Sequence, residues 1–235
     1  MRGTTAALAL AAIITFAGCA GTDQVGTGGP PAEAPVWRVG DRWVYRVTDG
    51  FRAPLSWNET HEVVSVAPGV ITVRVTEAGP SARGPRTEIW TRPGLLAAGP
   101  VFDNETRRFT PPVAIYAFPM SPGQRWGGWV DNFNETAQQA AQINRTVSVG
   151  NWTRVETPAG TFDALPLRVL MRLDDQEFWR GPTEANYLVH YAPAAGAMVR
   201  ADKNAHFVQS GRGGFGAVTT QRAQVELTSY TRATP

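Results

Sequence analysis

A chain of 235 residues with 43% hydrophobic residues and eight Trp has apolar material for one large β-domain or two small ones, which excludes a disordered polymer. Its 22 basic and 20 acidic residues give a formal charge of +2. The arginines are dispersed among apolar residues and form no one-sided basic cluster, so nucleic acid is not an expected partner.

The first element is a leader. Arg2 is followed by an apolar run from Ala6 to Phe16, of signal-peptide length and too short to span a bilayer comfortably. Phe16-Ala17-Gly18-Cys19 resembles the lipobox of bacterial lipoproteins, with Phe16 where Leu is usual. The resemblance implies cleavage before Cys19, a diacylglycerol thioether on its sulfur and acylation of the new amine. Cys19 is the only cysteine of the chain, so no intramolecular disulfide can form. By the sorting rule of enterobacterial lipoproteins, Ala20 after the lipidated residue implies delivery to the periplasmic face of the outer membrane. The segment 20–35 is rich in Gly, Pro and Thr and reads as a flexible tether, so the organisation expected is leader 1–18, lipidated Cys and tether 19–35, and a β-rich domain 36–235. No later stretch is long and apolar enough for a transmembrane helix.

Strand signals follow in order. Trp43, Tyr45 and Val47 alternate with Val44, Arg46 and Thr48. His61–Val66 and Val70–Glu77 flank Ala67-Pro68-Gly69 as a hairpin would. Short strands are expected at Glu88–Thr91, Val113–Phe118, 145–149 and 152–157. Pro158-Ala159-Gly160 is a tight turn into Thr161–Met171, and Asn186–Tyr191, Ala197–Ala201 and Thr219–Tyr230 complete the set. Glu135–Ile143 favours helix, with Asn134 as N-cap, although its Gln and Ala residues also suit a strand extension. The class expected is mainly β: an antiparallel curved sheet, as half-barrel or β-sandwich, with little helix. Gly40-Asp41-Arg42-Trp43 and Gly123-Gln124-Arg125-Trp126 echo each other, which suggests two related lobes at about 36–120 and 121–235.

Four segments carry a wider resemblance: Val39-Gly40-Asp41-Arg42-Trp43-Val44-Tyr45, Thr157 to Ala164, Tyr191 to Val199, and Glu226 to Tyr230. Their pattern, Gly-x-x-Trp-x-Tyr, Pro-Ala-Gly-Thr-Phe and Tyr-Ala-Pro-x-x-Gly, resembles an uncharacterised family of bacterial periplasmic proteins and lipoproteins. It implies a curved antiparallel sheet or half-barrel, with the lipoprotein-carrier (LolA/LolB) fold as one form. It carries over no catalytic residue.

Sites for chemistry are sparse. Gly211-Arg212-Gly213-Gly214-Phe215-Gly216 fits a dinucleotide fingerprint in letters, but β-like residues follow where a helix should open, so a hairpin loop is the better reading. His61, His190 and His206 lie at no metal-ligand spacing, so neither metal nor cofactor is expected. Asp174, Asp175 and Glu177 read as a solvated turn. Asn58, Asn104 and Asn134, each opening Asn-Glu-Thr, read as polar turns. The aromatics are the one suggestive class. Trp43, Tyr45, Trp90, Trp126, Phe162 and Tyr191 are candidates to line a concave ligand pocket, and Trp57, Trp129, Trp152 and Trp179 belong to the same class. Core filling is the simpler account of Trp residues.

The expectation is a membrane-anchored envelope lipoprotein with a non-enzymatic β-domain that binds a ligand or partner or plays a structural part. The alternatives are a LolB-like carrier of acyl chains or lipoproteins, and an envelope hydrolase. Expected partners are the membrane through its lipid and an apolar ligand or envelope protein.

Overall fold

The computed structural model of the protein describes residues 29–50, 53–102, 104–135, 137–174, 181–211 and 214–234. The leader, Cys19, the tether as far as residue 28, Asp175, Glu177, Trp179 and Arg212-Gly213 lie outside these.

The described chain is antiparallel β throughout, as the alternation implied. In chain order the strands are β1 (Arg42–Asp49), β2 (Leu55–Ala67), β3 (Val70–Ala78), β4 (Arg86–Arg92), β5 (Leu95–Gly99), β6 (Arg107–Ala114), β7 (Arg125–Asn134), β8 (Gln139–Val149), β9 (Thr153–Thr157), β10 (Gly160–Asp174), β11 (Thr183–Ala192), β12 (Ala197–Gly211) and β13 (Gly214–Thr231). Each strand from β1 to β7 pairs with its successor, β8 pairs with β10, and β10 through β13 pair in turn. β13 then pairs with β1, Arg42 opposite Thr231 and Asp49 opposite Ala223. Twelve strands thus close into a ring, and β9 adds a short flap on the start of β10. Neither a half-barrel nor a sandwich describes this: the curvature runs on until the twelve-stranded ring closes on itself, which removes the two long unpaired edges an open form would expose.

The period-two pattern sorts the wall. Trp43, Tyr45 and Val47 of β1, Val73 and Val75 of β3, and Leu167, Val169, Met171 and Leu173 of β10 are buried inside, while Arg42, Arg46, Arg74 and Arg168 face out. Glu135–Ile143 forms no helix. Glu135, Ala137 and Gln138 lie in the turn between β7 and β8, with the Ala137 N–H donating to Asn134 Oδ1 at 3.1 Å, and Gln139 onward is strand. Pairing of β8 with both β7 and β10, and burial of Ile143 (1% exposed) on its inner face, outweigh the weak helical preference of Gln and Ala.

Strand directions define two ends. The proximal end carries residues 29–41, the β2–β3, β4–β5 and β11–β12 turns and the long β6–β7 link. The distal end carries the β1–β2, β3–β4, β5–β6 and β12–β13 connections. The barrel takes hold of the chain before residue 36: Ala32 is buried and exchanges two backbone hydrogen bonds with Met120, at 2.8 and 2.9 Å.

The Gly-x-Arg-Trp echo is a repeated structure. Gly40 N–H donates to Val63 O and Gly123 N–H to Val149 O, both at 2.9 Å. The Arg38 N–H donates to the Asp41 carboxylate and the Ser121 N–H to the Gln124 amide oxygen, again both at 2.9 Å. Gly40 (φ 93°) and Gly123 (φ 83°) share the left-handed backbone that the turn requires.

Candidate functional site

The inner wall changes character along the barrel axis. The proximal half is plugged by aromatics: Trp37 packs against Trp43 and edge-on against Trp90, and Tyr116 and Phe118 from the β6–β7 link pack on Tyr191. Trp43 Nε1–H donates to Ala195 O at 2.8 Å. In the distal half the wall of β2, β3 and β4 holds charge, while Ile143, Met171 and Leu173 keep the wall of β8 and β10 apolar.

Three strands build that charged region, because an acid or cation stands in phase with the inward apolar residues of each. β2 reads Trp57, Glu59, His61, Val63 inward. β3 reads Val73, Val75, Glu77. β4 reads Arg86, Glu88, Trp90. Arg86 Nη2 donates to Glu59 Oε2 at 3.0 Å and Nη1 to Glu77 Oε1 at 3.2 Å, while its Nε lies 3.6 Å from Glu88 Oε1. His61 Nε2 meets Glu59 Oε2 at 3.1 Å, and Trp57 Nε1–H donates to Glu59 Oε1 at 3.0 Å. Trp90 Nε1–H donates to Glu88, and Asn104 Nδ2–H to Glu77. Beside this network lies a chamber of about 160 Å³, bounded also by Tyr45, Arg83, Lys203 and Gln221. The exposed Arg83 guanidinium sits 5.4 Å over the Trp57 ring, and the Lys203 ammonium 5.6 Å over Tyr187. Tyr187 OH donates to Gln221 Oε1 at 2.6 Å.

The electrostatics follow from burial and partners. Burial pushes the Glu59 carboxyl up, but the hydrogen bond and charge of His61, the charge of Arg86 and the Trp57 N–H outweigh it and hold the group well below the usual carboxylate range. Glu59 therefore carries no proton to give near neutrality. It accepts hydrogen bonds and fixes His61 and Arg86. Burial, reinforced by Tyr116, Glu59 and Glu88, raises the Tyr45 phenol, whose OH donates to Met198 O at 3.0 Å. Burial would lower the Arg86 guanidinium, but Glu88, Glu59 and Glu77 raise it. The arrangement presents fixed charges of both signs to a small enclosed space, which suits recognition of a compact polar molecule by hydrogen bonds.

A second cavity is wider and apolar. At the proximal end an open basin of about 840 Å³ is bounded by Pro30, Pro31, Trp152, Phe162 and Pro193. Gly29 lies on the Trp152 indole so closely that a Cβ there would sit 2.5 Å from the ring. A third, smaller cleft of about 270 Å³ marks the seam between β6 and β7, which pair only from Arg107 to Phe109. Beyond that point Pro111 and Pro112 donate nothing, and side chains replace the ladder: Trp126 Nε1–H and Arg145 Nη1–H both donate to Ala114 O, at 3.0 and 2.8 Å. Burial brings the Arg145 guanidinium down to about 10, against the influence of Tyr116 and Tyr187.

The six aromatics singled out from sequence are therefore spread over four places. Tyr45 bounds the distal chamber, Phe162 the proximal basin and Trp126 the seam, while Trp43, Trp90 and Tyr191 belong to the plug. Trp57 bounds the chamber, Trp152 the basin, and Trp129 stands 58% exposed on the outer wall. His61 is in the chamber, whereas His190 and His206 lie on the outer wall. Of the G-x-G-x-x-G letters, Gly211 ends β12 and Gly214 to Gly216 open β13, while Arg212 and Gly213 lie outside the described residues. Glu59, Glu77, Arg86 and Glu88 were missed as site residues. Their signal was a charge in phase with buried positions, which alternation read for fold alone passes over.

No model of a known family matches the chain, and no curated protein matches it in sequence. Two solved structures are similar to it. A candidate exported protein with a YmcC-like fold from Bacteroides fragilis shares 12% identity over 86% of this chain and all of its own, at a TM-score of 0.52. A candidate lipoprotein from Parabacteroides distasonis gives the same identity and coverage at a TM-score of 0.47. The first likeness is one of fold.

Proposed function

We propose that this is a lipid-anchored protein of the bacterial cell envelope whose barrel holds a small polar molecule in its distal chamber, without chemical conversion. The observation that carries the reading is the chamber itself. Charged groups of both signs are kept inside a barrel wall where apolar residues would pack as well. The leader and Phe16-Ala17-Gly18-Cys19 support the anchor, and export accords with the description of the Bacteroides fragilis protein that shares the fold. Ala20 supports delivery to the periplasmic face of the outer membrane.

Two experiments test this. Cys19→Ser should release the protein from the membrane fraction and abolish incorporation of labelled palmitate, and unchanged labelling would overturn the anchor. Native mass spectrometry of protein from its own host, with thermal-shift titration by hexoses, amino sugars and amino acids, tests the chamber. A compound that stabilises the wild type and fails with Glu59→Gln supports it. No bound compound and no shift by any of these classes overturns it.

The carrier reading rests on the proximal basin, since its prolines, Trp152 and Phe162 are the apolar lining that an acyl chain needs. A co-purifying lipid lost on Phe162→Asp would favour it over the chamber.

A further inference from the structure

We infer that the proximal end of the barrel docks on the bilayer surface, with Val36, Val39, Val66 and Val70 entering the headgroup region and arginines around them meeting anionic lipid. This rests on the reading that Cys19 carries the anchor.

The apolar residues are grouped. Val36, Val39, Val66 and Val70 are 64%, 57%, 46% and 44% exposed. Val36 and Val39 precede β1, and Val66 and Val70 flank the β2–β3 turn. The two segments are held side by side, since Gly40 N–H donates to Val63 O and Val63 N–H to Asp41 O, both at 2.9 Å. Single exposed apolar residues are ordinary on a protein surface, but four on adjoining segments at one end form a face. Pro68 and Gly69 fill the turn between the last two, so the tip carries no charge. The other large exposed apolar residues lie on the side wall, as Trp129, Leu170 and Leu188 do, or toward the distal end, as Leu55 does.

Charge and chain length agree. Arg42, Arg92 and Arg125 are exposed at the proximal ends of β1, β4 and β7, and Arg38 is half-buried beside Val39. Arginine stems lie along apolar surface while their guanidinium groups reach phosphate, which suits an interfacial rim. Gly29, ten residues after Cys19, lies at this same end. Ten residues reach at most about 35 Å whatever their conformation, and about 16–19 Å as a coil. A lipidated Cys19 therefore keeps the proximal end close to the membrane, and the chamber at the other end faces away from it.

The chain's single cysteine makes a direct test possible, because lipidation leaves no free thiol. Val70→Cys and, at the distal end, Leu55→Cys are each introduced into the full chain, processed, labelled with the fluorophore NBD and reconstituted into phosphatidylethanolamine/phosphatidylglycerol vesicles. Val39→Cys serves as a second proximal probe should the turn not tolerate a label. The proximal labels should shift to shorter wavelength and lose at least threefold in iodide quenching relative to position 55. Weaker shielding in pure phosphatidylcholine would support the part assigned to the arginines, and equal shielding there would overturn that part. Equal quenching at positions 70 and 55, in protein that floats with the vesicles and carries acyl mass, overturns the docking face while the anchor stands. Protein without acyl mass overturns the anchor and this inference together. Shielding at position 70 that grows with protein density, with energy transfer between labelled copies, assigns the face to a second copy of the chain and also overturns the proposal.

Discussion

Arg86→Met tests the energetics of the chamber directly. Methionine keeps much of the stem and removes the guanidinium that Glu59, Glu77 and Glu88 share at 3.0, 3.2 and 3.6 Å. The carboxylate side chains are 12%, 0% and 8% exposed, so water replaces the lost cation poorly. Removing one partner from a buried pair costs about 3–5 kcal/mol. Here Glu59 keeps His61 and Trp57, and Glu77 keeps Asn104, which places the expected loss at the lower end, about 3 kcal/mol. With a urea dependence of about 2 kcal/mol per molar, the midpoint should fall by about 1.5 M at pH 7, followed by tryptophan fluorescence. Glu88→Gln added to Arg86→Met removes one of the carboxylates left without their cation and should recover part of the loss at pH 7. A midpoint shift below about 0.3 M at pH 7, or no recovery on adding Glu88→Gln, would show that the carboxylates do not depend on Arg86.

Further outcomes follow from other contacts. In wild-type protein Glu59 has a folded-state pKa below its unfolded one, so its stabilisation is complete above about pH 4.3 and lost as pH falls further; Glu59→Gln should flatten the melting temperature in that window. His190 is lowered by burial and then by Arg200, so its folded form favours neutrality, and His190→Gln should remove a decline in stability that begins as pH falls through about 6.5. Gly127→Ala would put a Cβ 1.9 Å from the Arg145 carbonyl oxygen at φ 124°, and circular dichroism should show loss of the native barrel; a folded variant with an unchanged melting temperature would contradict that packing. Gly29→Ala should lift the 29–33 segment from Trp152, seen as faster limited proteolysis there with little change in barrel melting.

Much of the wall was legible because its strands alternate strictly: Trp43-Tyr45-Val47 and Val70–Glu77 each appear as strands with the inner and outer residues that their letters imply. β5 was not legible, since Leu95-Leu96-Ala97-Ala98-Gly99 has no alternation and depends on neighbours on both sides. Nor was β6 before Val113, where Pro111-Pro112 argues against a strand and the seam accommodates them. Closure of the ring depends on β1 meeting β13, a contact that no local pattern encodes. The chamber was hidden for a related reason. Glu59, Glu77, Arg86 and Glu88 look like ordinary polar letters in separate strands until pairing of β2, β3 and β4 brings them to one wall.

The β1–β13 contact also constrains how the molecule can be made. Nearly every other ladder joins neighbours in sequence and can zip up as the chain lengthens, but Arg42 waits for Thr231. A chain emerging N-terminus first from a channel therefore carries β1 with one edge bare and Trp43, Tyr45 and Val47 uncovered until β13 is through. Truncation even a few residues into β13 should leave an open, sticky ribbon rather than a slightly weakened barrel. Quality control at the point of emergence would then see an all-or-nothing product.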